Sequence, residues 1–317
     1  MIFQMTFAIL TAALMIDAFA GRMKFSAMLV FMVIWSICVY SPFCHWVWAE
    51  GGYFFDMGAL DYAGSTVVHF NAGISGLVAC LVLGKRLGCG REPMSPHNLT
   101  FAMLGAAILW IGWFGFNGGS EFAADGVAAL AILNTVVASA AGLASWLVVE
   151  RVSTGKPTLV GACTGLVAGL VVVTPGAGFV EPWAAVVMGL LVSPVCYYAI
   201  SHLKARFGYD DALDAFGCHG VGGILGGVLT GVFCVPELSW TEQGGLLYTG
   251  DPSLLVSQVL GIVVTLAIVA VLDLVIVSVV RLVFGGSLRV DEASEALGLD
   301  VALHGESAYP AYTGLDA

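Results

Sequence analysis

The sequence predicts an all-α membrane protein with nine transmembrane helices, and three observations predict it. Of 317 residues, 59% are hydrophobic and only 10% are charged, with a mean hydropathy of +0.95. A water-facing surface needs more charge than that. Nine apolar stretches are each long enough to cross a bilayer. The eleven Lys and Arg residues all fall beside alternate connectors between those stretches.

Taken in order, the first stretch is 2–20, followed by Arg22 and Lys24. AFA before Gly21 resembles a signal cleavage site, but no basic segment precedes it and basic residues follow, so it is read as a retained span. The second, 26–48, leads to Glu50 and Asp56. The third, 62–83, is followed by Lys85, Arg86 and Arg91, and the fourth, 100–118, by Glu121 and Asp125. The fifth, 126–149, precedes Arg151 and Lys156, and the sixth, 157–174, precedes Glu181. The seventh, 182–201, ends near Lys204 and Arg206. The eighth, 216–234, runs to Glu237, Glu242 and Asp251, and the ninth, 254–284, carries Arg281 with Arg289 beyond it. Basic connectors stay in the cytoplasm. The chain therefore starts outside, residues 1–285 form the membrane domain, and the polar tail 286–317 is cytoplasmic.

Other compositional signals narrow the function. The 41 glycines fit helices packed through small faces. A net charge of −11 disfavours nucleic acid as a partner and leaves the membrane assignment untouched. The eight cysteines have no zinc or redox spacing, and most read as small apolar fillers. No cofactor or metal is expected.

One pattern occurs twice. Asp61, His69, Gly73 and Gly76 recur as Asp211, His219, Gly223 and Gly226, each shifted by 150 positions. Eight residues of helix carry each histidine about 12 Å past its aspartate, toward the middle of an apolar layer about 30 Å thick. An ionisable group at that depth is a functional candidate. The His69 span runs inward and the His219 span outward, so the repeat is inverted, with a site expected where its halves meet. Spans four to eight make one five-span repeat. The earlier repeat has three spans, and two front helices are expected to be missing.

At these residues the chain resembles the ammonium transporters, relatives of the Rhesus proteins. The matching runs include FQMTFAILTAAL (3–14), RMKFSA (22–27), GALDYAGSTVVHFNAGISGLV (58–78), IGWFGFNGGS (111–120) and DAFGCHGVGGILGGVLTGVF (214–233). The tail run LRVDEASEALGLDVALHGESAY (288–309) matches as well. The resemblance implies an eleven-helix, inverted-repeat fold, here without its first two spans, assembled as a homotrimer in the cell membrane. It departs at Asp17, where the family usually has Gly, and at Gly21, where it usually has Glu.

The resemblance also implies roles. Trp48, Ser120 and Phe3 would recruit ammonium at an outer vestibule, and Phe7 and Phe116 would form a stacked gate below it. Trp113 would line the pore beside the twin histidines His69 and His219. Asp61, Asp211 and Asp214 would act as helix caps and electrostatic support. Ammonium and potassium are alike in size and charge, but ammonium can lose a proton. Neutral ammonia then crosses an apolar bore that excludes ions. Methylammonium is the expected analogue, and a PII-type regulatory protein is an expected partner of the cytoplasmic face. Alternatives are a Rhesus-type neutral gas channel, a non-conducting ammonium sensor or inactive truncated chain, and a haem-binding electron-transfer protein using the two histidines.

Overall fold

The structure, a computed structural model, describes residues 1–241 and 243–308; Glu242 and the tail beyond 308 lie outside the described residues. Among the described residues nine helices are long and apolar enough to cross a membrane. They are α1 (Ile2–Phe19), α2 (Phe25–Asp56), α3 (Ser65–Leu83), α4 (Leu99–Glu121), α5 (Gly126–Ser153), α6 (Leu159–Gly176), α7 (Pro182–Phe207), α8 (Phe216–Phe233) and α9 (Ser253–Val283). Each contains one of the nine apolar stretches to within a few residues. α7 runs further than hydropathy alone suggests because its last polar turns stay helical, whereas α2 breaks after Trp48, where Ala49 is extended, and resumes only as the short turn Tyr53–Asp56.

The starts follow their capping chemistry. Asn98 accepts from Phe101 N–H at 2.9 Å, Asp125 accepts from Val127 and Ala128 N–H at 3.0 Å, and Thr158 accepts from Gly161 N–H at 2.9 Å. α7 opens on Pro182, whose missing N–H costs nothing at a first turn.

Small residues set how close the helices come. A methyl group added to Gly142 of α5 would lie 2.5 Å from Gly165 O and 2.9 Å from Gly169 Cα of α6. At the centre, one added to Gly73 of α3 would lie 2.5 Å from Gly220 of α8, and one at Gly223 would lie 3.0 Å from Phe70 N. Ser65 at the start of α3 donates to Gly223 O, further along α8, at 2.6 Å. Early α3 thus meets later α8 and later α3 meets early α8, so the two duplicated helices cross in opposite directions. All eight cysteines are free thiols, most of them wholly or partly buried.

The connectors sort onto two faces as their charge predicts. On one, fully buried Arg22 donates to Gly84 O at 2.9 Å and Asp210 O at 2.6 Å, while Arg86 clasps the Asp210 carboxylate at 2.9 and 2.7 Å. The tail joins this face. Lys24 N–H donates to Leu288 O, Val290 N–H donates to Arg22 O, and Arg289 pairs with Glu295 of the short helix α10 (Glu292–Leu297) at 2.7 Å. On the opposite face Tyr62 N–H donates to Pro175 O at 3.0 Å and Val235 N–H to Phe179 O at 2.8 Å. There the buried Gln258 side chain of α9 holds Leu60 by both its N–H (2.8 Å) and its carbonyl (2.7 Å), fixing the turn that leads into α3.

Candidate functional site

Both histidine helices are launched by the same device. Asp61 is buried, and its Oδ1 accepts from Gly64 and Ser65 N–H at 2.8 and 2.6 Å. Its Oδ2 accepts from Thr66 at 2.8 Å and Val67 at 3.4 Å. The turn that brings four donors to one carboxylate passes through Gly64 at φ +118°, a conformation glycine adopts freely. Asp211, 150 residues later, accepts from Ala215 N–H at 3.1 Å and Phe216 N–H at 2.8 Å. Burial pushes Asp61 up, against the pull of its four N–H donors. Burial and then neighbouring Asp214 push Asp211 up to about 6. Burial also raises Asp214, although Lys204 Nζ sits 2.7 Å away and opposes the shift. The three aspartates therefore cap and brace the helices, and Asp61 and Asp211 face their own backbones.

The two launched helices bring the histidines together. Nδ1 of His69 and Nδ1 of His219 are 3.3 Å apart, both rings are buried, and the ring planes meet at 30°. One Nδ1 must donate and the other accept. No room is left between them for an iron atom, so the pair does not fit axial haem ligation.

Aromatic rings continue the line outward. Trp113 stacks on His69 with centroids 5.2 Å apart and planes 15° apart. Its indole N–H donates at 3.0 Å to Thr174 Oγ1, whose own hydroxyl donates to Leu170 O at 2.8 Å. Phe116 lies 5.9 Å from His69 and stacks on Phe7 at 4.2 Å and 19°. Trp48 stands edge-on above Phe7 at 5.9 Å, with its indole N–H donating to Asp61 O at 2.7 Å.

Above the phenylalanine pair opens a cavity of about 360 Å³ whose wall includes Gln4, Phe7, Trp48, Tyr62, Ser120 and Glu121. Ser120 donates its hydroxyl hydrogen to Phe116 O at 2.8 Å, so its lone pairs are what it can offer a guest. Phe3 stands apart. It packs on Phe7 at 4.8 Å and lines a separate apolar cleft between α1 and α4. Sequence reasoning singled out every ring of the stack. It missed Thr174, which orients Trp113, and Tyr62, Glu121 and Trp240 in the cavity wall. Adjacency to singled-out residues could have flagged two of these, Glu121 beside Ser120 and Tyr62 beside Asp61. Among the described residues no cluster of His, Cys, Asp and Glu could hold a metal ion.

Comparison with known proteins agrees with this geometry. The profile of the Ammonium Transporter Family matches residues 1–309. The ammonium transporter of Bacillus subtilis is 49% identical over 309 residues, which is 98% of this chain and 75% of that protein. That of Aquifex aeolicus is also 49% identical, over 98% of this chain and 71% of its own length. The crystal structure of Saccharomyces cerevisiae Mep2 superposes with a TM-score of 0.83 at 37% identity, covering 91% of this chain and 68% of Mep2. Fold, histidine pair and sequence agree: the chain belongs to the ammonium transporter family.

Proposed function

We propose that this protein recruits ammonium at the outer cavity, passes its proton to the imidazole relay of His69 and His219, and conducts ammonia along that pair. The observation that carries the reading is the position of two hydrogen-bonded, buried imidazoles directly beneath the stacked Phe7 and Phe116 rings. An intact cation at that depth would meet a penalty of several kcal/mol, whereas ammonia would not. Trp48 and Ser120 supply a π face and an oxygen at the entrance, which suits a cation. That entrance favours ammonium recruitment over a neutral gas channel.

In this reading Phe7 and Phe116 separate the wet cavity from the dry path and Trp113 walls the level of His69. Phe3 supports Phe7 and does not touch the cation. The face bearing Arg22, Arg86 and the tail from 286 is cytoplasmic, and residues 1–285 sit in the membrane. A homotrimer in the cell membrane and a PII-type partner on the cytoplasmic face accompany the family reading.

The test is transport by the purified chain in proteoliposomes. An inward ammonium gradient should alkalinise or acidify the lumen faster than in empty vesicles, and labelled methylammonium should accumulate in competition with ammonium. Rates equal to those of empty vesicles would refute transport.

A further inference from the structure

We infer that Glu121 is a cation-binding residue of the outer cavity, giving it a fixed negative charge that holds ammonium as an ion pair before the proton leaves. The inference rests on the transport reading and names a residue outside it. Glu121 closes α4 one residue after Ser120 and is half-buried in the cavity wall.

Its geometry is fixed from one side only. Glu121 Oε2 accepts from the Tyr62 hydroxyl at 3.1 Å. Tyr62 is itself held, 2% exposed, between Phe179 edge-on at 5.3 Å and Trp240 stacked at 5.9 Å. Burial, and then the Glu121 charge, keep the Tyr62 phenol well above its ordinary range, so it remains a hydrogen-bond donor. Among the described residues Glu121 Oε1 receives no donor, and the buried Oε1 of Gln4 in the same wall also lacks one. The Ser120 hydroxyl hydrogen is committed to Phe116 O. Three oxygens thus await N–H donors in a cavity whose described lining contains no Lys or Arg.

Ammonium brings four N–H donors and a positive charge, which matches that set; ammonia offers no charge for the carboxylate. Trp48 and Trp240 lie in the same wall. A carboxylate there adds a longer-range attraction to the short-range cation–π contact, and salt screens it over about 10 Å at 0.1 M.

The competing role for Glu121 is to anchor Tyr62, and two variants separate the roles. Glu121→Gln keeps an acceptor for Tyr62 and removes the charge, whereas Tyr62→Phe keeps the charge and removes the hydrogen bond. Methylammonium uptake into proteoliposomes is measured against concentration at low and high salt. We expect Glu121→Gln to raise KM roughly three- to tenfold at low salt, without a matching fall in maximal rate. The parent KM should rise with salt and the variant's stay flat. Tyr62→Phe should raise KM less than half as far.

An unchanged KM in Glu121→Gln, or a salt dependence it shares with the parent, overturns the proposal. So does an equal rise in Tyr62→Phe, which would make Glu121 an anchor. Absence of uptake by the parent itself would sink the transport reading instead. Equilibrium binding of methylammonium to the solubilised protein, weakened or not by Glu121→Gln, would then still decide the role of Glu121.

Discussion

The Nδ1 atoms of His69 and His219 face each other at 3.3 Å across 150 residues of chain. Each ring is the other's Nδ1 partner, so removing either one strands the survivor in the apolar interior. We expect His69→Ala or His219→Ala to cut methylammonium uptake by roughly 10²-fold, and the double variant to lose little more than the worse single one. Fully additive losses in a proteoliposome double-mutant cycle would mean that the rings work independently.

The Phe7–Phe116 stack, with centroids 4.2 Å apart, predicts a blocked path when a charge enters it. Phe116→Asp places a carboxylate against an apolar ring and should abolish methylammonium uptake, while the protein still extracts and melts cooperatively in detergent. Uptake unaffected by Phe116→Asp would rule out the assigned route.

Four backbone donors converge on Asp61. Asp61→Ala leaves all of them without a side-chain acceptor and should destabilise the protein by about 2–4 kcal/mol. Asp61→Asn retains one acceptor oxygen and should cost roughly half as much. Thermal unfolding in one detergent orders the three proteins. Equal midpoints for parent and Asp61→Ala would deny Asp61 its capping role.

Asp210 predicts a pH dependence. Burial pushes its carboxyl up, but hydrogen bonds from Arg86 outweigh burial and hold it below the usual carboxylate range. Its stabilisation is therefore complete above the unfolded value of about 4 and fades as pH falls through the depressed folded one. Asp210→Asn should cost about 2–4 kcal/mol at neutral pH. The gap to the parent should narrow as pH falls below about 4. Neighbouring Asp211, held up to about 6, acts oppositely: its ionisation weakens the fold as pH rises from about 4 through 6. Comparing variant with parent removes that contribution. A gap that is the same at low and neutral pH would show that Asp210 acts without its charge.

The spans, the two-faced sorting of connectors and the histidine pair were legible because each is written as a pattern. Long apolar runs mark spans, and the placement of Lys and Arg marks a face. A copied Asp–His frame marks a crossing point, since equivalent helices in opposed directions must meet near equivalent residues. The rings stacked above His69 and lining the cavity needed the resemblance, because a lone Phe7 or Trp48 is indistinguishable from a lipid-facing one. Contacts created only by the packing of unrelated segments were illegible. Tyr62 meets Glu121 from 59 positions away, and Trp113 meets Thr174 from 61, with no periodicity linking either pair. Phe3 shares a helix face with Phe7, one turn earlier, and packs against Phe7 and Phe122, so it lines the neighbouring cleft and not the cavity.

A single hydrogen sits between the facing imidazoles, and that gives the pair a sense of direction. The ring that keeps the shared hydrogen on Nδ1 has a bare Nε2; the other has a bare Nδ1 and therefore an N–H at its far end. On the proposed path, a molecule sliding past would meet a base at one step and an acid at the next. Reversing the order requires the hydrogens of both rings to exchange ends together, so one imidazole cannot change its offering without the other changing too.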